Sequence, residues 1–219
     1  FYAKCMGLPV HKLVCASNAN NVLTDFLRTG IYDRNRDFHK TITPSMDILI
    51  SSNLERLLYH MTNDTTRTAG WMKDLQTTGR YDVGAELLAK IQQTFWADWT
   101  SDEATEELIG RVYQQKHYVP DTHTAVAWKV AENYQQATGD EHPMVVVSTA
   151  SPYKFNGSVL AALGADTKGL DEFQLLDKLQ ELNDNPTPRG LAALRNKQQR
   201  HTGICERDGM KQAVLGFIG

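Results

Sequence analysis

Cysteine is scarce. The chain has three in 219 residues, Cys5, Cys15 and Cys205, an odd number with no paired spacing. That excludes a disulfide framework and fits a reducing compartment, so a cytoplasmic location is expected. No apolar run reaches the length needed to cross a bilayer, and no secretory leader pattern opens the chain. Neither sign of charge dominates: the net charge is −3 and the isoelectric point about 6.2. Neither nucleic acid nor a membrane is therefore an expected partner. The densest basic cluster, Arg195, Lys197 and Arg200, reads as a solvated helix face. The seven histidines are scattered, with no H-E-x-x-H and no C-x-x-C…H spacing, so no metal site is expected. The phosphate-binding G-x-x-x-x-G-K-[ST] and G-x-G-x-x-G loops are missing, as is the G-x-S-x-G elbow of serine hydrolases.

What is present is an ordinary globular composition, 41% hydrophobic and 22% charged. The length allows one or two domains with a sizeable core. The chain starts at Phe1 without a methionine, and Phe1–Gly7 reads as the back half of a helix ending at a glycine cap, which leads us to expect a fragment. His11–Ala16 reads as a short strand running into Ser17-Asn18-Ala19-Asn20-Asn21. A helix with Val22, Leu23, Phe26 and Leu27 on one face should follow, stopped by Gly30. Ser52–Glu55 and Thr100–Glu103 both have capping-box form and should open helices. Further helices are expected over Thr65–Thr78, Val83–Gln93, Asn156–Leu163, Asp171–Leu182 and Leu191–Lys197, with one that turns in at Asp121–Thr124, carries Ala125, Val126, Trp128, Val130 and Tyr134 and is stopped by Gly139, and a terminal helix opened by Glu206. Phe95–Trp99 reads as extended and Arg200–Cys205 as an edge strand. The apolar run Met144-Val145-Val146-Val147 reads as a strand buried in a parallel sheet. It ends at Ser148-Thr149-Ala150-Ser151, and Pro152 suits the first turn of the next helix.

These elements describe an α/β fold, helix-rich, with an incomplete parallel sheet. Three segments rich in small hydrogen-bonding groups each end an extended stretch and open a helix: Ser17–Asn21, Asp121-Thr122-His123-Thr124-Ala125, and Ser148–Ser151. Any one of them is explained by helix capping. Together, on one edge of a parallel sheet, they would surround one crevice where helix N-termini favour an anion. Cys15, inside an apolar strand, reads as packing rather than as a nucleophile.

The ordered set Cys15–Asn20, Arg28-Thr29-Gly30-Ile31-Tyr32-Asp33, Thr43–Ile48 with Ser51–Arg56, Asp121–Val126, Ser148–Phe155 and Arg200–Gly203 resembles the C-terminal half of the bacterial-type threonine synthases. These are pyridoxal 5'-phosphate (PLP) enzymes of the tryptophan synthase β-like fold. The resemblance covers nearly all of the chain. It implies residues 1–219 as the C-terminal part of the large PLP-binding domain, with a helical insertion at about 53–116. It also implies a carbon–oxygen lyase acting on a phosphate ester, converting O-phospho-L-homoserine and water to L-threonine and phosphate. The family's Schiff-base lysine and phosphate loop match nothing here. They would lie upstream, in the N-terminal half of the same protein, so this stretch should hold no catalytic residue and be inactive alone. The resemblance implies Thr149 and Ser148 as cofactor-binding, with the Thr149 hydroxyl meeting the pyridine nitrogen. Asn18, Asn20, His123 and Lys154 would contact substrate, whereas Arg34 and Arg36 read as solvated. Thr122 stands where relatives often have proline. A homo-oligomer is left open. The alternatives are another PLP-dependent lyase or dehydratase of the same fold, or a non-catalytic α/β interaction module.

Overall fold

The computed structural model describes residues 1–218. It separates into two units, Phe1–Pro186 and Thr187–Gly219. In the first unit, helix α1 (Tyr2–Cys5) leads to strand β1 (Leu13–Ser17), helix α2 (Val22–Thr29) and strand β2 (Ile31–Asp33). Helices α3 (Leu54–Thr62) and α4 (Thr65–Thr77), strand β3 (Arg80–Asp82), helix α5 (Ala85–Thr94), strand β4 (Phe95–Trp99) and helix α6 (Asp102–Lys116) follow. Helices α7 (Thr122–Thr138), α8 (Asn156–Ala162) and α9 (Glu172–Leu182) complete it. No helix among the described residues is long and apolar enough to cross a membrane.

β1 and β4 pair in parallel, Leu13 opposite Phe95 through Ser17 opposite Trp99, while β2 and β3 form a separate antiparallel pair. This is a helix-rich α/β fold with a small parallel sheet. Helices α2 and α7 both pack on the β1–β4 pair. Polar ties reinforce that packing. Arg28 Nη2 of α2 bonds Asp98 Oδ1 at 2.6 Å, and Asn133 Nδ2 of α7 bonds the other oxygen of the same carboxylate at 2.9 Å. The buried Thr24 hydroxyl bonds the Asp98 carbonyl at 3.0 Å. A hydrogen bond to a charged group contributes about 1.5–3 kcal/mol, so Asp98 is a joint between the two helices and the sheet.

The core centres on Phe26, Leu58, Ile91 and an aromatic group in which Tyr32 and Tyr81 stack at 5.3 Å across the antiparallel pair. A second apolar set, Leu108, Ile109 and Val112 of α6, Val126 and Val130 of α7, and Val159 and Leu160 of α8, is fully buried. At Gly110 an added Cβ would sit 3.2 Å from the Ala162 carbonyl, so α6 and α8 approach closely where glycine permits it.

Most expected elements form within a residue or two of their expected ends. Gly30 ends α2 in the left-handed region, with φ +79, and Asp121 caps α7, whose Gly139 stop is also left-handed. Four local readings are corrected. Helix α3 starts after Asn53, with no side-chain cap, so Ser52 and Glu55 form no capping box. Its phase is set instead by burial of Leu54, Leu58 and Met61. In α6 the cap is Ser101, accepting from the Ala104 amide, rather than Thr100. The Met144–Val147 segment is unpaired rather than a buried strand, with Val145 85% and Val147 67% exposed. A strand needs a neighbour for its backbone N–H and C=O groups, and none of the described residues supplies one. For the same reason Arg200–Cys205 is irregular and exposed rather than an edge strand. It lies in the second unit, which otherwise holds helices α10 (Arg189–Leu194) and α11 (Met210–Ile218).

Candidate functional site

At the carboxyl end of β1 the chain makes an Asx turn, in which Asn18 Oδ1 accepts from the Asn20 amide at 2.9 Å. Asn18 is 1% exposed. Its Nδ2 meets Thr41 Oγ1 at 2.9 Å, Thr43 Oγ1 at 2.9 Å and Asp47 Oδ1 at 2.8 Å. Asn20 Nδ2 donates to the His39 carbonyl at 2.7 Å and to Asp47 Oδ1 at 3.0 Å, and Asn20 Oδ1 accepts from the His39 amide at 2.9 Å. Both asparagines therefore clasp the loop of residues 39–47, and Asp47 is the hub of the clasp. The Asp47 carboxylate also takes the Thr41 hydroxyl at 2.7 Å and the Thr41 amide at 3.1 Å. From α6, Asp102 Oδ2 accepts the Ile42 amide at 3.1 Å. Burial pushes the Asp102 carboxyl up, against the opposing effect of that amide.

The same loop is held from α7. The Ser45 amide donates to His123 Nε2 at 3.2 Å. That bond makes Nε2 an acceptor and leaves the ring hydrogen on Nδ1, 3.4 Å from Asp121 Oδ1. Asp121 Oδ1 caps α7 by accepting the His123 and Thr124 amides at 2.9 and 3.3 Å. Burial raises the Asp121 carboxyl pKa, but the bonds from His123 and Thr124 outweigh it and hold the group below its usual value. The expectation that helix N-termini here await an external anion is thus corrected for α7, where a carboxylate of the chain already occupies the amides. By contrast, α2 starts at Asn21 with no side-chain cap.

The third segment meets the second. Thr124 Oγ1 lies between the Asp121 carboxylate and Ser148 Oγ, the latter at 3.1 Å. The Phe155 ring packs on His123 at 4.5 Å between centroids, and Lys154 Nζ sits 5.2 Å from the Phe155 centroid. Ser151 caps a 3-10 turn over Pro152–Phe155. Thr149 is exposed, and its hydroxyl has no hydrogen-bond partner among the described residues.

Asn18, Asn20, His123 and Ser148 are therefore joined through one polar network. Lys154 lies beside it through Phe155, and Thr149 stands next to Ser148 at its exposed margin. Arg36 is committed elsewhere, bonding Asp25 at 2.8 Å and Asn21 at 3.0 Å, and Arg34 Nη2 bonds the Gln76 carbonyl at 3.3 Å. Two participants were not singled out from the sequence: Asp47, which stood within a quoted segment, and Asp102, legible only as an acidic residue in the first turn of a helix. What the network can do chemically is hold a loop against the end of β1 and the first turns of α6 and α7 while leaving a hydroxyl-lined edge open.

Residues 124–214 match the family described as "Threonine synthase, C-terminal". The chain is 39% identical over 211 residues to "Threonine synthase-like 1" of Mus musculus, covering 94% of this chain and 28% of that protein. It is 35% identical over 199 residues to "Threonine synthase" of Saccharomyces cerevisiae, covering 84% of this chain and 39% of that protein. Among solved structures it superposes on yeast threonine synthase with a TM-score of 0.76 at 31% identity, over 90% of this chain and 40% of that one. It also superposes on a PLP-bound threonine synthase from Brucella melitensis with a TM-score of 0.70 at 37% identity, over 74% of this chain and 34% of that one. The chain spans less than half the length of each of these relatives. Across fold and sequence, then, the chain resembles part of the threonine synthases, and residues 124–214 match that family's C-terminal domain.

Proposed function

We propose that the protein containing this chain is a threonine synthase, converting O-phospho-L-homoserine and water to L-threonine and phosphate with PLP. The observation that carries the reading is the gathering of the three polar segments: Asn18–Asn20 and Asp121–Thr124 hold the loop of residues 39–47, and Ser148–Phe155 packs on Thr124 and His123. The residues fit the cofactor: Thr149 offers an exposed, uncommitted hydroxyl for the ring nitrogen, and Ser148, whose hydroxyl accepts from Thr124, stands beside it. Bound PLP supplies the electron sink for chemistry at the substrate amino acid. The chain's own residues then bind and orient. Asn18, Asn20 and Asp47 fix the loop as one wall, and His123 keeps its proton on Nδ1 while Nε2 holds Ser45. The uncapped start of α2 and the exposed Lys154 ammonium suit a phosphate. The lysine that anchors the cofactor would come from a segment of the same protein outside this chain, so the isolated chain is expected to be inactive.

The test is product analysis on the full-length protein. Release of phosphate with threonine supports the reading; release of ammonia with a keto acid overturns it. Thr149→Val should lower kcat by about tenfold or more, equivalent to ~1.4 kcal/mol, with unchanged circular dichroism because Thr149 is exposed.

A further inference from the structure

We propose that His11, Asp140 and His142 form a binding site for a divalent transition-metal ion of the zinc class. The site lies away from the network described above: His11 precedes β1 at its amino end, whereas Asn18 follows β1 at its carboxyl end. One ligand atom from each of the three residues falls within 4.8 Å of the others. Two imidazole nitrogens and one carboxylate oxygen make a donor set of the kind zinc takes, with a fourth position left for water or another ligand.

The carboxylate is the fixed element. Asp140 Oδ2 accepts the Tyr134 hydroxyl at 2.5 Å, and Oδ1 accepts the His142 amide at 2.9 Å. Tyr134 is buried, and its ring packs edge-on against Trp96 at 5.3 Å, so the hydroxyl that orients Asp140 is itself rigid. Metal-binding carboxylates have such outer partners. The turn that presents both residues is set by Gly139, which ends α7 in the left-handed region at φ +68. Tyr134 first, then the backbone and ring of His142, hold the Asp140 carboxyl far below the usual carboxylate range.

The imidazoles are the movable elements. His142 Nδ1 lies 2.5 Å from Asp140 Oδ1, and His11 Nε2 lies 3.6 Å from Oδ2. The two rings stack at 4.5 Å and 9°. The side chains of His11 and His142 are 58% and 64% exposed, so both can turn about Asp140 until their nitrogens reach the roughly 2.0–2.1 Å of a zinc–imidazole bond. A bound ion would tie the segment entering β1 to the turn leaving α7, two stretches far apart in sequence. Isolated histidines carry no recognisable spacing, which is why the expectation of no metal site followed from the sequence.

The test uses the full-length protein, stripped of metal by a chelator and titrated with Co²⁺ alone and with Zn²⁺ alone. One equivalent of Co²⁺ should bind with visible d–d bands and no thiolate charge-transfer band, and Zn²⁺ should displace it. His11→Ala and His142→Ala, both at exposed side chains, should abolish that binding. Tyr134→Phe, which removes no ligand, should weaken it by about tenfold or more. Mg²⁺ should neither bind nor compete. The proposal is overturned if the wild type binds no Co²⁺ or Zn²⁺, if a thiolate band appears, or if the two histidine variants bind as the wild type does.

Discussion

Asn18→Ala should loosen one loop selectively. The side chain is almost fully buried and links Thr41, Thr43 and Asp47 through Nδ2 while capping the Asn20 amide through Oδ1. Truncation leaves the buried Asn20 amide without its acceptor and removes one of the donors that neutralise Asp47. A buried group deprived of its partner costs about 1–3 kcal/mol. Most of that should appear as local opening, because four amides of the loop are held by side chains rather than by a ladder: His39 by Asn20, Thr41 by Asp47, Ile42 by Asp102 and Ser45 by His123. Taking ~2 kcal/mol, amide exchange over residues 39–47 should accelerate about 30-fold. Peptides from α4 should keep their wild-type rates. Hydrogen exchange read by mass spectrometry separates the two regions. An acceleration of less than about threefold over 39–47, under ~0.7 kcal/mol, or an equal acceleration everywhere, would refute the clasp. Asn18→Asp adds a sign test. A carboxylate placed 2.8 Å from Asp47 Oδ1 would be a like charge, raising the pair's folded-state pKa above the unfolded value near ~4. Its penalty should be absent below that value, grow as pH rises through the raised folded pKa, and be complete at neutral pH.

Other measurements follow the same reasoning. Asp121 has a depressed pKa in the folded protein, so its contribution is present above the unfolded value near ~3.9 and lost as pH falls through the folded pKa. Asp121→Ala should flatten the acid limb of a stability–pH profile and destabilise by about 0.5–2 kcal/mol at neutral pH through the lost α7 cap; an unchanged acid limb would count against it. Gly30→Ala imposes a left-handed φ of +79 on a residue with a Cβ, at 3.4 Å from Leu88 and Val83, and should cost about 1–2 kcal/mol in denaturant titration. Burial pushes the Cys15 thiol up to about 11, whereas Cys5 and Cys205 are exposed. Iodoacetamide on the native chain should therefore modify Cys5 and Cys205 and spare Cys15, as peptide mapping would show.

Local chemistry was legible from the sequence wherever a residue acts on its own neighbours. Gly30 and Gly139 end helices because each reaches the left-handed region without a Cβ clash. Asp121, Ser151 and Asp171 open helical turns because a short side-chain oxygen reaches amides two or three residues on. The helical spacing of Val22, Phe26 and Leu27 marked a face that is indeed buried. The Asn18–Asn20 turn and the Ser148–Ser151 run stood out for the same reason.

What only the tertiary structure decided were pairings between residues distant in the chain. The partners of Asn18 Nδ2 lie more than twenty residues away, and those of Asp47 include both asparagines at the end of β1. No periodicity encodes such contacts, because they depend on how β1, α6 and α7 are stacked. Met144–Val147 shows the converse limit. Its valine run has strand-like propensity, and Met144 and Val146 are half-buried while Val145 and Val147 face outward. Propensity sets which backbone conformation is inexpensive, but a strand exists only where another strand satisfies its N–H and C=O groups. His11, Asp140 and His142 make the same point for a candidate site: residue type is written in the chain, but their juxtaposition comes from the fold that brings the entry to β1 beside the exit from α7.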